Sequence, residues 1–127
     1  MNVKSLKTNL DWRETGIIKG IKVRQIPIVG NGAEQPSGTD RYGYIITEVS
    51  DDGTEFKFAS KRYDGTYVDA GRARLITRKN SRVRGRYGIV NEQTGKLEAQ
   101  LCTHSWFGLI YPLASKGCAE DYLDPSF

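Results

Sequence analysis

Two Asp-Gly dipeptides, Asp52-Gly53 and Asp64-Gly65, stand twelve residues apart with alternating apolar and polar residues on either side. Asp-Gly between alternating stretches is the strongest short hairpin signal, because its residues tolerate the positive φ that a tight turn between twisted strands demands. Each dipeptide also sets a register. A two-residue turn at Asp52-Gly53 puts Ile45, Thr47 and Val49 on one face with Phe56 and Phe58, and sets Glu48 opposite Lys57. A two-residue turn at Asp64-Gly65 sets Phe56 against Ala73 and Phe58 against Gly71, with Leu75 on the same side and Glu55 opposite Arg74 outside. Two independent turns thus agree on one apolar face, which predicts an antiparallel sheet.

The next turn decides where the arginines go. Arg72, Arg74 and Arg78 alternate along one stretch, and Arg82, Arg84 and Arg86 along the next. A two-residue loop at Asn80-Ser81 would mix the first trio with Val83, Tyr87 and Ile89. A three-residue loop, Lys79-Asn80-Ser81, aligns all six arginines outside and gathers Ala73, Leu75, Val83, Tyr87 and Ile89 inside. A one-residue slip exchanges the two faces of a strand, so burial favours the three-residue loop. A further three-residue turn, Gln93-Thr94-Gly95, places Leu97, Ala99 and Leu101 against Ile89 and Tyr87. The expected strands therefore include 71–79 and 82–90.

The remaining stretches fit around this meander. Residues 1–15 read as a short helix or as an extended arm, with Leu10 and Trp12 covering one end of a barrel. Isoleucine and valine dominate from Thr15 to Val29, and the alternation slips at Gly20, which predicts a bulge or bend. Pro27 has no N–H to give a ladder, so it marks an edge or an end. Residues 30–41, rich in Gly, Pro, Ser and Asn, read as a mobile loop without structure. The apolar run 106–113 reads as a strand buried on both faces or closing a barrel, and stopping at Pro112. Residues 114–127 form a polar tail, with a helical turn possible near 119–123.

At 127 residues the chain is long enough for a single domain that buries about two-thirds of its unfolded surface. An apolar content of 38%, with 14 glycines, suits a thin core in a strand-and-turn protein. The expectation is an all-β domain over residues 1–127. It is a small antiparallel meander of about six strands, closing into a barrel or a strongly bent sheet, with short irregular or helical termini.

The functional signal is narrower. The formal net charge is +4. An arginine ladder repels itself by up to about 1 kcal/mol for each adjacent pair. The guanidinium fork matches phosphate and carboxylate. The expected function is a non-enzymatic binding module that contacts a polyanion, foremost nucleic acid, through Arg72, Arg74, Arg78, Arg82, Arg84 and Arg86, with Lys57 and Tyr44 on the same outer face. Single-strand binding would add aromatic platforms, for which Tyr42, Tyr44, Tyr63 and Tyr67 are candidates. The bland alternative is that Glu48, Glu55, Glu98 and the acidic tail neutralise the ladder. A second functional reading is a protein-interaction, assembly or inhibitor protein docking on an acidic or apolar partner surface. The chain's size and compactness are also compatible with the small accessory proteins of phages and viruses.

Enzyme chemistry has little support. His104, the single histidine, shares strand parity with Cys102, but neighbouring Ser105 points to the opposite face. Asp51, Asp52 and Asp64 are accounted for by turn chemistry. The glycines of 30–38 are not followed by the Lys-Ser/Thr and helix of a phosphate-binding loop. Cys102 and Cys118 lack metal-ligand spacing, so no metal or other cofactor is expected. The two are idle thiols in a reducing compartment or, alternatively, a disulfide. No leader-like or membrane-spanning apolar run is present, and a cytoplasmic protein is the expectation.

Overall fold

A computed structural model of the chain describes residues 16–37, 40–98, 108–119 and 121, with Ser37 described by its backbone alone. The expectations for 1–15, for Cys102 and His104, and for Ala99 and Leu101 fall outside the described residues, as does most of the segment 119–123. Among the described residues there is no helix. The strands are β1 (Gly16–Ile18), β2 (Ile21–Val23), β3 (Asn31–Ser37), β4 (Asp40–Val49), β5 (Glu55–Lys61), β6 (Tyr67–Leu75), β7 (Tyr87–Ile89) and β8 (Leu109–Lys116). Strands β3 to β8 close into a six-stranded antiparallel barrel, and β1 and β2 form a separate two-stranded sheet. The expected all-β barrel is therefore observed.

The register expected of the Asp52-Gly53 turn holds beside that turn, whereas that of the Asp64-Gly65 turn holds only at the far end of β5 and β6, beyond a bulge. Glu48 lies opposite Lys57, and Val49 opposite Phe56. Glu55, Phe56 and Phe58 lie opposite Arg74, Ala73 and Gly71. The turns are wider than two residues. Ser50 N–H donates to the Glu55 carbonyl, and Arg62 N–H donates to that of Thr66. Asp52 and Asp64 each accept from the backbone N–H and hydroxyl of the threonine two positions on, Thr54 and Thr66.

Bulges then change the faces. The β4–β5 register shifts between Ile46 and Glu48, leaving Thr47 without a partner. Every β4 residue before the shift changes side, so Ile46 is buried at 1% exposure and Tyr44 packs against the core. The expectation that Ile45 and Thr47 line the core, with Tyr44 outside, assumed an unbroken alternation. A second shift on β5–β6 leaves Ala70 unpaired.

The inner core joins Ile46, Phe56, Phe58, Ala73, Leu75, Tyr87 and Ile110. Three edge-on or tilted ring contacts, Tyr44–Phe58, Phe56–Phe58 and Phe56–Tyr87, run through it. Such geometry sets a ring edge against a π face and adds about 0.5–1.5 kcal/mol per pair to burial. The Tyr87 hydroxyl donates to the buried Gly53 carbonyl, tying β7 to the β4–β5 turn.

Gly20 is a turn residue rather than a bulge. Lys19 and Gly20 both have positive φ, at 49° and 78°, and Ile18 pairs with Ile21 across them. This is the two-residue hairpin geometry that glycine makes accessible. The hairpin sends Ile18, Ile21 and Val23 into the barrel core. It covers the end that carries the β4–β5 turn, where Lys19 pairs with Asp52 at 3.1 Å.

Residues 30–41 are not a structureless loop: 31–37 are β3, hydrogen-bonded to both β4 and β8. Intrinsic propensity is weak here, but a closed barrel supplies a partner on each side. β8 closes the barrel, as the apolar run suggested, yet continues through Pro112 to Lys116. Pro112 lies opposite Ala33, beside a register shift between Asn31 and Ala33. A proline is tolerated where the ladder is already interrupted.

Candidate polyanion interface

The residues from Ala70 to Asn91 include no Asp or Glu, while arginine or lysine occupies 72, 74, 78, 79, 82, 84 and 86. Any neutralising carboxylate must come from another part of the chain, and among the described residues the fold delivers carboxylates to only one half of this segment.

On β6 the carboxylates arrive. Arg74 Nε donates to Glu55 Oε1 at 2.7 Å, as the cross-strand register requires. Arg72 Nε donates to Glu92 Oε1 at 2.8 Å, and its Nη1 lies 3.5 Å from Glu55 Oε1. The hydrogen bond to Glu92 pushes the Arg72 pKa up further. On β5, Lys57 meets Glu48 at 3.2 Å. Three cations thus face three carboxylates, and this face has no net charge. Exposed pairs of this kind add little to stability, so their main effect is neutralisation.

The second half is arranged differently from the expected ladder. Strand 71–79 ends at Leu75, and strand 82–90 shrinks to 87–89. The pairing sets Arg74 against Gly88 and Leu75 against Tyr87, two residues away from the register of a Lys79–Ser81 hairpin. Face parity is preserved, so Ala73, Leu75, Tyr87 and Ile89 still point to the core. The last ladder bond is Ile76 N–H to the Arg86 carbonyl, and residues 77–85 form a loop. Arg78, Arg82 and Arg84 therefore lie on a loop, with no strand to align them with Arg72 and Arg74.

This loop is pinned by its own chemistry. Ser81, Arg84 and Arg86 N–H groups donate to the carbonyls of Arg78, Ser81 and Val83, and Gly85 N–H donates to that of Ile76. Val83 is the only apolar side chain within it. It is buried with Ile76 and Leu109 in a second, smaller core, against which Leu97 and Tyr111 pack. Leu109 and Tyr111 alternate with the inward Ile110, so this cluster lies on the outer wall of the barrel. Val83 had been expected inside; it is apolar because it seals the loop onto that wall. Leu97 belongs to the same outer cluster because the turn before it spans four residues. Asn91 N–H donates to the Lys96 carbonyl and Leu97 bridges Val90, which moves Leu97 to the other face.

Gly85 completes the seat. Its φ is +87°, and a Cβ there would collide with the Lys22 carbonyl of β2. The loop therefore rests directly on the hairpin backbone, beside Lys22 and Arg24. Arg24 lies over the Tyr111 ring at 5.9 Å. Arg86 donates from Nη1 to the Arg82 carbonyl at 3.3 Å. Burial pushes the Tyr111 pKa up, opposed by the nearby Arg86 and Arg24 charges.

Arg78, Lys79, Arg82 and Arg84 remain exposed, and no carboxylate lies within ion-pair range of them among the described residues. Of the residues singled out from sequence, the structure thus brings Lys57, Arg72 and Arg74 together in ion pairs and gathers Arg78, Arg82 and Arg84 on one loop, with Arg86 just after it at the ladder. Tyr44 joins neither group. It is half-buried against Phe58, its hydroxyl 3.1 Å from Gln35 Oε1, and burial pushes its pKa up. Lys79, a turn residue in the expected hairpin, joins the exposed group on the loop, and its place between Arg78 and Arg82 is the sequence signal for it. Cys118 is half-buried, and burial pushes its thiol pKa up. No described helix is long and apolar enough to cross a membrane. No protein-family model, curated protein or solved structure matches the chain.

Proposed function

We propose that this protein is a non-enzymatic binding module whose loop 77–85 contacts a polyanion, with nucleic acid as the ligand. The observation that supports this reading most is the uneven supply of carboxylates. Arg72, Arg74 and Lys57 are neutralised by Glu55, Glu92 and Glu48, whereas Arg78, Lys79, Arg82 and Arg84 share one short loop without an acidic neighbour among the described residues. Four cations held close together repel one another, and a phosphate backbone relieves that repulsion while releasing its own counterions. The Arg fork adds paired hydrogen bonds to phosphate oxygens.

Docking on a protein surface is the second reading. Ile17, Ile28 and Val29 favour it, being 65%, 50% and 58% exposed. The strands 31–37 and 109–116, which take up much of residues 30–41 and of the apolar run 106–113, are hydrogen-bonded within the closed barrel and offer no free strand edge. The polyanion reading is tested by titrating a labelled nucleic acid at several salt concentrations. Four phosphate contacts give a slope of log affinity against log salt of about −3.6 on a duplex. Absent binding, or binding that salt leaves unchanged, would reject it.

A further inference from the structure

Resting on that reading, we infer that the ligand of loop 77–85 is a double-helical nucleic acid gripped by its phosphate backbone, not a single strand. Proteins that hold single strands without sequence preference combine basic residues with aromatic side chains on which bases stack, at about 1–3 kcal/mol per base. Loop 77–85 has no aromatic residue. Among the described residues, Tyr111 packs against the cluster that holds Val83, and it is half-buried beneath Arg24.

The exposed aromatics among the described residues are Tyr42, Tyr63 and Tyr67. All three belong to the opposite end of the barrel. Tyr67 begins β6, and Ile76, where the loop starts, is nine residues further on. At about 3.3 Å per residue the two ends are roughly 30 Å apart. Tyr42 and Tyr67 line one cavity with Lys61, and Tyr63 sits in the adjoining turn. One route between the two ends crosses the outer face of β5 and β6. There Lys57, Arg72 and Arg74 are engaged with carboxylates, so that path attracts no phosphate.

The loop itself suits a stiff ligand. Its backbone is tied at 76, 78, 81 and 83, and Val83 is buried beneath it. Its cations are therefore displayed from a fixed backbone, and the regular phosphates of a helix match a fixed display. A flexible strand would have to lose its own conformational freedom to reach the same contacts, with no stacking to offset the loss. Asn80 and Ser81 at the tip add neutral groups of the type that bond phosphate oxygens.

The test measures anisotropy with a 16-base-pair DNA duplex, the matching RNA duplex, and a single strand with the same number of phosphates. The full chain is used at 50 and 200 mM salt. The expected result is tighter binding to at least one duplex than to the single strand, weakened about 150-fold across that salt range. Tyr42→Ala with Tyr67→Ala leaves duplex binding unchanged, and Arg78→Gln with Arg82→Gln cuts the salt effect to about 12-fold. A single strand bound as tightly as the better-bound duplex, or binding lost in the tyrosine variant, overturns the inference while leaving a polyanion module in place. No binding to any of the three overturns that broader reading as well.

Discussion

Arg74 and Arg78 are four residues apart and chemically identical, yet the fold treats them differently. Arg74 lies on a strand whose neighbours carry Glu55, and it is paired at 2.7 Å. Arg78 lies just beyond the last ladder bond, on a loop whose neighbours are the β1–β2 hairpin and the barrel's outer wall. Neither surface supplies a described carboxylate to it. A run of arginine in a sequence therefore carries no functional meaning until the cross-strand partner of each position is known. Register assigns a structural role to Arg72 and Arg74, and beyond its end Arg78, Arg82 and Arg84 meet no carboxylate among the described residues.

The strongest way to break this contrast is to unseat the loop without touching its charges. Val83→Ala removes two buried methyl groups from the outer cluster, which costs about 1.6 kcal/mol in transfer terms. The expected outcome in hydrogen exchange is lost protection at the Gly85 and Arg86 amides, with β5 and β6 still protected. Polyanion affinity should fall alongside. Unchanged exchange at those amides would show that Val83 does not hold the loop.

A slightly smaller effect is expected from Tyr87→Phe. The Gly53 carbonyl loses its donor, at about 1 kcal/mol. Denaturant unfolding should show this loss, while the salt dependence of polyanion binding stays as in the unaltered chain. That result would separate the stability of the barrel end from the charge it displays.

Glu55→Gln sharpens the contrast from the other side. It frees Arg74 and one contact of Arg72, so β6 should begin to attract polyanion. The slope against salt should steepen by about 1, with stability changed by no more than about 1 kcal/mol. A slope that does not move would mean that the β6 arginines are silent for some reason other than neutralisation.

The smallest effect concerns acid. Hydrogen bonds from Thr54, then from Lys19 and Ser50, hold the Asp52 carboxyl well below the usual range. Its folded pKa lies below its unfolded one, so its contribution to stability is present above about pH 4 and is lost as pH falls further. Melting curves between pH 5 and pH 2 should show a smaller drop for Asp52→Asn than for the unaltered chain. Equal drops would mean that the turn is not coupled to folding in this way.

The strands joined by the Asp-Gly turns were legible because turn chemistry marks their position. Glu48 lies opposite Lys57 as the Asp52-Gly53 turn requires, whereas Glu55 lies opposite Arg74 because the bulge at Ala70 offsets a three-residue loop at Asp64-Gly65. The bulges themselves were not legible. Thr47 and Ala70 are ordinary residues, and no local preference marks them as bulges, yet the first of them carries Tyr44 from the outer face to the core. β3 was hidden because its residues have low strand propensity, and its stability comes from neighbours distant in sequence. Val83 kept the parity of an inward strand residue and misled for that reason. One apolar residue in a polar stretch fits a strand interior and a loop clasp equally well, and tertiary context alone decides between them. The cluster of cations was visible in the sequence, but its division into neutralised and available halves was not.

The most direct test of the central claim compares two double variants of equal charge change: Arg72→Gln with Arg74→Gln, and Arg78→Gln with Arg82→Gln. Each is titrated with the same duplex across a range of salt. The loop pair should reduce the slope by about 1.8 and the strand pair by less than about 0.5. Equal reductions, or a larger one from the strand pair, would contradict the claim.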